Sequence, residues 1–274
     1  MKRSKITILL AIVLGMTFHS CLDLEPQDQL GGKNMWTSVN DYKQFANTFY
    51  SWTRDFSSVV YDGTHSDKRS DLITYQSYNE FSRGINSIPS SDANYTDNYK
   101  HIRRTNLLLQ NAEAYAKPED IKQYIGEAYF FRAYSYFDLL QLYGDVIITK
   151  KPLDITDPEM KVKRNDRSEV VDLIIDDLNH AVENLPAFKE LTTEEEGRIS
   201  KEGAQAFLSR VALYEGTWQK SRNGNQNTQR SANLLDIAAK AARTVIDAKY
   251  GYTFRLFGTD SETKILGDSA HFGK

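Results

Sequence analysis

The run from Ile121 to Gly144 limits what this chain can fold into more than any other stretch. Its sequence, IKQYIGEAYFFRAYSYFDLLQLYG, contains no proline and ends at a glycine, which is typical of one long helix. Its apolar side chains are not confined to one stripe but cover most of the helix circumference. Because a helix that is apolar nearly all round must be packed on several sides, we predict that this helix is the centre of an all-helical layer.

A repeated pattern extends this prediction to the rest of the chain. The spacing A-x3-R-x3-Y occurs at 128–136 and again at 206–214, each time after another helix-forming segment. Helix pairs that repeat at intervals of tens of residues are typical of tetratricopeptide-like solenoids. The sequence therefore predicts a mainly all-α fold, a tetratricopeptide-like helical-repeat solenoid with long irregular loops. The predicted pairs are about 96–116 with 118–143 and 168–185 with 200–219, and a helix at about 232–248 begins a third pair.

The two arginines of the repeated pattern, Arg132 and Arg210, occupy equivalent places in helices that should be largely buried. A buried arginine is normally paired, so we expect each to contact an acidic neighbour such as Glu127 or Asp138. The alternative is that these arginines bind the carboxylate of a ligand.

Local signals predict where several helices begin. Ser38 or Asn40 can cap a first helix that runs to about residue 52, and Ser168 and Ser200 precede two of the paired helices. The segment VIITK at 146–150 lies in a proline-containing link and is suited to a short strand.

The first twenty residues have the composition of a secretory signal peptide. A basic start is followed by an apolar run at 6–18, too short to span a bilayer, and Ser20 places a small residue before Cys21. The position of Cys21, the only cysteine, favours a lipoprotein signal and lipidation of Cys21. The alternative is an ordinary signal with an incidental cysteine. Residues 21–35 are then an extended arm between the lipid and a domain at 36–274.

Composition and spacing argue against several functional classes. The chain has 274 residues and a net charge of −3, so it lacks the excess of lysine and arginine that is typical of a nucleic-acid-binding protein. Its histidines show no metal-ligand spacing, and it has no glycine-rich phosphate loop. The adjacent carboxylates Asp176 and Asp177 must point apart on a helix. We therefore expect a protein that is not an enzyme and has no metal and no cofactor.

The chain resembles the SusD/RagB family of outer-membrane nutrient-binding lipoproteins of Bacteroidetes. The resemblance is carried, in order, by CLDLEPQDQL, NMWTSVNDYKQFANTFY, YKHIRRTNLLLQN, GEAYFFRAYSYFDLLQLYGDVII, RSEVVDLIIDDLNHAVENLP and GRISKEGAQAFLSRVALYEG. It implies a lipid-anchored protein facing outward from the outer membrane. It also implies binding of a glycan or oligosaccharide and its delivery, without chemical change, to a TonB-dependent (SusC-like) transporter. Members of the family are longer, so the C-terminal part of the family domain is expected to be missing.

The best candidate for a binding site is the irregular, tyrosine-rich segment at 54–95. A neutral sugar needs flat aromatic surfaces and planar hydrogen-bonding groups. The family resemblance implies an aromatic side chain with an asparagine three residues later, which here are Tyr95 and Asn98. Tyr78 or Arg83 is predicted to add a second aromatic surface or a polar contact.

Three other hypotheses remain open from the sequence. Resemblance to the RagB branch implies peptides as ligands. A purely structural tetratricopeptide adaptor has no small ligand and predicts that Tyr78 and Tyr95 are buried. A glycan hydrolase would have to use the carboxylate clusters.

Overall fold

A computed structural model describes residues 35–54, 83–222 and 228–254. The predicted signal peptide, Cys21, nearly all of the predicted arm and Tyr78 lie outside these ranges. The described part is helical and contains no strand, only an isolated antiparallel bridge between Val146 and Asn165 where the short strand was considered. Its α-helices are α1 (Val39–Asn47), α2 (Ala93–Glu113), α3 (Lys122–Tyr143), α4 (Arg167–Asn184), α5 (Lys201–Arg222) and α6 (Thr228–Ile246).

Helix α3 is the centre of the layer, as predicted. Fully buried side chains lie on different sides of it, among them Ala128, Phe131, Tyr136 and Leu140. Helices α1, α2 and α4 all pack against it, while α4 packs on α5 and α5 on α6. Each long helix from α2 onward therefore contacts the next one along the chain, as in a helical-repeat solenoid.

Glycines allow two of these helix contacts to be close. A Cβ atom built on Gly126 of α3 would lie 2.9 Å from Leu185 Cγ and 3.0 Å from the Leu185 backbone nitrogen. A Cβ atom built on Gly216 of α5 would lie 3.0 Å from Leu235 Cγ in α6. A side chain at either glycine would collide with the neighbouring element, so the close contact depends on the glycine.

The helix starts follow the predicted caps in two of three cases. Ser38 accepts a hydrogen bond from the Asp41 amide in a capping box, and Ser200 Oγ accepts one from the Gly203 amide at 3.3 Å. The prediction for Ser168 is wrong. Helix α4 begins one residue earlier, at Arg167, with Asp166 at its N-cap. Helix α6 begins at Thr228, earlier than the predicted residue 232.

Arg132 is buried and paired, as expected, but with a different partner. It donates to Asp177 of α4 through Nε (2.8 Å) and Nη2 (2.6 Å), and to Asn106 of α2 through Nη1 (2.8 Å). Burial by itself would lower the pKa of the Arg132 guanidinium, but the hydrogen bonds and charge of Asp177 outweigh it and raise that pKa. The arginine thus connects three helices and serves the core.

The acidic neighbours named for this role pair with other arginines. Glu127, itself fully buried, accepts two hydrogen bonds of 2.7 Å from Arg198, and Asp138 pairs with Arg54. The expectation for Arg210 is wrong, because its side chain is exposed on α5. The repeated sequence pattern therefore does not have the same environment in its two copies.

Candidate functional site

A surface cavity of about 440 Å³ lies beside the first turns of α2 and contains the predicted Tyr95. We call it the tyrosine cavity. Its volume lies within the range of about 300–1,000 Å³ that is usual for small-ligand sites. Its lining is mostly apolar and consists of Tyr95, Thr96, Tyr99, Lys100, Arg103, Ile147, Thr149, Lys151, Leu153, Glu159 and Met160.

One wall of the tyrosine cavity is an aromatic cluster. The ring of Tyr95 lies 4.8 Å from that of Tyr99, tilted by 49°, and 5.2 Å from that of Tyr143, nearly perpendicular at 88°. The Tyr143 hydroxyl donates to Asp92 at 2.6 Å, and Asp92 also accepts from the Asn94 amide at 2.9 Å as the N-cap of α2. The capping residue of the helix thus also fixes the aromatic cluster.

Tyr99 is held in place by its own hydroxyl. This hydroxyl donates to the Ile147 carbonyl at 2.8 Å, and burial raises the pKa of Tyr99, which keeps the phenol protonated as a donor. Tyr95, four residues earlier on the same helix face, is half-buried and presents part of its ring to the cavity.

The facing wall is formed by the link between α3 and α4, which is positioned by two buried side chains. Asn106 donates to the carbonyls of Thr149 (2.9 Å) and Lys151 (3.3 Å). The Tyr136 hydroxyl accepts from the Thr149 amide at 2.7 Å and donates to its carbonyl at 3.2 Å. Since Asn106 is also bonded to Arg132, the central ion-pair network supports the cavity wall.

The rim of the tyrosine cavity is charged. Lys151 Nζ lies 2.8 Å from Glu159, and this hydrogen bond raises the pKa of Lys151. Lys100 pairs with Asp97 at 2.8 Å. An apolar aromatic wall below a polar rim offers contacts to both the C–H face and the hydroxyls of a sugar ring.

The predicted site residues are only partly brought together. Tyr95 lines the cavity. Asn98, however, is only 8% exposed, and its side-chain amide donates to the Asn94 backbone carbonyl at 2.8 Å. Arg83 is exposed and is not among the lining residues. Tyr78 cannot be placed, because it lies outside the described residues.

Most residues that line the tyrosine cavity were not predicted from the sequence. Tyr99 carried a usable signal, because a residue four positions after Tyr95 shares its face of a helix. Thr149, Lys151 and Met160 carried none, because they reach the cavity through tertiary packing of a link about fifty residues away along the chain. Within the described ranges, no group of three or more His, Cys, Asp or Glu side chains is arranged to hold a metal ion. The same ranges include no helix with the length and apolar character needed to span a membrane.

The described part of the chain combines a helical-repeat scaffold with an aromatic-walled surface cavity. The family described as "Starch-binding associating with outer membrane" (SusD-like) matches residues 22–213, which is well over half of the chain. The chain belongs to this SusD-like family, and both the sequence resemblance and the predicted all-helical fold are confirmed.

Individual relatives agree with this assignment. SusD-like protein P38 of Formosa agariphila is 28% identical over 233 residues, which cover 78% of this chain and 42% of the relative. The crystal structure of a SusD-like protein from Bacteroides fragilis has a TM-score of 0.61 at 25% identity and covers 87% of this chain and 43% of that one. A laminarin-binding SusD-like protein has a TM-score of 0.51 at 28% identity and covers 64% of this chain and 35% of that one. The chain thus spans less than half the length of these relatives.

Proposed function

We propose that this protein binds a glycan or its oligosaccharide fragments, without chemical change, and that the tyrosine cavity is part of the binding surface. The observation that carries the proposal is the placement of Tyr95. Its half-buried ring forms one wall of a cavity of small-ligand size, at the position where the family resemblance implies an aromatic surface. A ring held in this way can stack on the C–H face of a sugar.

Family membership supports the same ligand class. The family description names starch binding, and one structural relative is a laminarin-binding protein. Because this chain covers only part of each relative, we extend glycan binding to it as a proposal.

The proposal includes the cellular setting. Lipidation of Cys21 anchors the protein to the outer membrane, facing outward, and the helical repeats contact a TonB-dependent transporter that receives the ligand. The family description, which includes association with the outer membrane, supports this setting. Replacement of Cys21 by alanine should release the protein from the membrane fraction of its native host, and unchanged fractionation would contradict the lipid anchor.

The partial exposure of Tyr95 supports this proposal over the adaptor hypothesis, which predicts that Tyr78 and Tyr95 are both buried. Tyr78 lies outside the described residues. Peptide binding of the RagB type uses the same cavity and is an outcome of the test below.

The test compares Tyr95→Ala with wild type in isothermal titration against laminarin, starch and xyloglucan oligosaccharides and a mixed peptide pool. Aromatic stacking contributes about 0.5–1.5 kcal/mol, so we expect Tyr95→Ala to weaken glycan binding by about 2–12-fold. Tyr214→Ala is the matched control, because Tyr214 is also partly buried but lies on α5, outside the cavity lining. Heat released only with peptides would favour the RagB-type alternative, and equal effects of the two variants would contradict a role for the tyrosine cavity.

A further inference from the structure

A second cavity, of about 340 Å³, lies where the turn after α6 packs on the start of α5 and on the link from α4. We call it the lysine cavity. It shares no lining residue with the tyrosine cavity. Its lining consists of Ala187, Lys189, Glu190, Lys201, Ala248, Lys249, Tyr250 and Gly251.

The charge of the lysine cavity is positive. Three lysines line it, and of these Lys249 has a carboxylate neighbour, Asp247, at 4.0 Å. Lys189 and Lys201 have no carboxylate within 4 Å in the part of the chain that the structure describes. The one acidic lining residue, Glu190, is engaged locally, because its Oε2 accepts from the Ala187 amide at 2.8 Å. The cavity therefore holds two ammonium groups that are not neutralised by an ion pair.

The turn after α6 lies against one of these ammonium groups, that of Lys189. Ala248 has a φ of 51° and Gly251 a φ of 82°, both in the left-handed region. The Lys249 amide donates to the Thr244 carbonyl at 3.1 Å, which closes a Schellman-type helix end. A Cβ atom built on Gly251 would lie 2.6 Å from Lys189 Nζ, so the glycine leaves room for that ammonium group directly against the turn.

Three aromatic side chains stand close along the chain to residues that line the lysine cavity, without being lining residues themselves. Phe188 precedes Lys189, and Tyr252 and Phe254 follow Gly251. The Phe188 ring lies 4.6 Å from that of Tyr252 and 5.5 Å from that of Phe254. Tyr252 and Phe254 remain 39% and 49% exposed, so these rings pack on each other and still face solvent. Apolar rings beside unpaired cations fit a ligand that has both an apolar face and a negative charge.

We propose that the lysine cavity binds an anionic saccharide unit, one that carries a sulfate ester or a carboxylate. The ammonium groups of Lys189 and Lys201 contact the anionic group, and the ring of the sugar lies against the adjacent aromatic side chains. A bare inorganic anion would leave the rings unused. A membrane surface would contact a protruding patch rather than enter a cavity. The site is independent of Tyr95 and adds charge selectivity to the protein.

The experiment compares short dextran sulfate with neutral dextran of the same length, by isothermal titration of the whole chain without its signal peptide. Dextran sulfate should bind and neutral dextran should bind much more weakly, and raised salt should weaken the binding of dextran sulfate. The double variant Lys189→Gln/Lys201→Gln should lose about fivefold to thirtyfold in affinity for dextran sulfate, since each of the two exposed charge pairs contributes about 0.5–1 kcal/mol.

Two controls locate the effect. Lys240→Gln removes one positive charge from α6 at a lysine that is 76% exposed and lies outside the cavity, and it should retain wild-type affinity for dextran sulfate. The double variant should retain wild-type affinity for neutral laminarin oligosaccharides, because neither lysine lines the tyrosine cavity, so a failure of the tyrosine-cavity proposal is distinguishable from a failure here.

Several results would overturn the proposal. One is a loss of affinity per removed charge that is equal in the double variant and in Lys240→Gln, which would mean that net charge alone decides. Another is competition by sodium sulfate at equal sulfate concentration, which would reduce the site to an inorganic-anion site. Binding of phosphatidylglycerol vesicles that is as sensitive to the double variant as dextran sulfate binding would assign the lysines to a membrane surface instead.

Discussion

Arg132 and Arg210 occupy the same position of a repeated sequence pattern, yet the structure predicts opposite consequences for their replacement by methionine. Arg132 is 5% exposed and makes three hydrogen bonds, two of them to Asp177, which is fully buried. Removing one member of a buried ion pair leaves the other charge uncompensated and typically costs 3–5 kcal/mol. Since domains of this kind are stable by about 5–15 kcal/mol, Arg132→Met should remove a large part of the free energy of unfolding. Arg210 is exposed, so Arg210→Met should change it by no more than about 0.5 kcal/mol.

Urea unfolding followed by circular dichroism measures both variants against wild type. The double variant Arg132→Met/Asp177→Leu adds a decisive comparison, because replacing a whole buried ion pair by apolar residues is often neutral. Part of the loss in stability should remain in the double variant, because the side-chain oxygen of Asn106 no longer receives the hydrogen bond from Arg132. We expect the double variant to regain about 2 kcal/mol or more over Arg132→Met. Equal losses for Arg132→Met and Arg210→Met, or no recovery in the double variant, would refute the assignment of Arg132 to a buried structural pair.

Three further predictions concern packing, the helix end after α6 and pH. Gly126→Ala should be less stable than Gly203→Ala by about 1–3 kcal/mol in urea unfolding, because the new methyl group meets a backbone nitrogen at 3.0 Å in the first case and nothing closer than 3.8 Å in the second. Ala248→Gly should raise the free energy of unfolding by about 0.5–1 kcal/mol, since alanine is strained at a φ of 51°; a loss would contradict the helix-end geometry. Burial lowers the pKa of His101 below its usual 6.5, so the unfolded chain takes up this proton first on acidification. Stability contributed by neutral His101 should therefore be present above pH 6.5 and be lost as the pH falls through the folded pKa, and unfolding curves of His101→Gln should lack this part of the acid sensitivity.

Much of the fold follows from local signals in the sequence. The all-round apolar character of residues 121–144 predicted a central helix, and α3 is buried on several sides. The capping residues Ser38 and Ser200 were correctly placed, because a cap depends on side chain and backbone within three or four residues. The prediction of Ser168 as a cap was wrong, again because of side chains within a few residues. Asp166 caps α4 instead, two positions before Ser168, and its amide donates to Glu169 Oε2 at 3.1 Å.

The candidate site could be predicted only in part. The family resemblance implied Tyr95, which lines the tyrosine cavity. Asn98, three residues later, satisfies a carbonyl of its own helix, and Tyr99, four residues later, lines the cavity instead. The facing wall around Thr149 comes from a link whose position depends on Asn106 and Tyr136 in two other helices. No sequence pattern in the link between α3 and α4 indicates these contacts.

The sequence by itself determined the helices, their order, the central place of α3 and the family, because periodicity, capping and long matching segments are properties of neighbouring residues. Only the tertiary structure decided that Arg132 pairs with Asp177, forty-five positions away, while Arg210 faces solvent. The physical reason is that a periodic pattern marks a helix face but does not specify which element covers that face. Burial, and with it the need to pair a charge, is a property of the packed assembly.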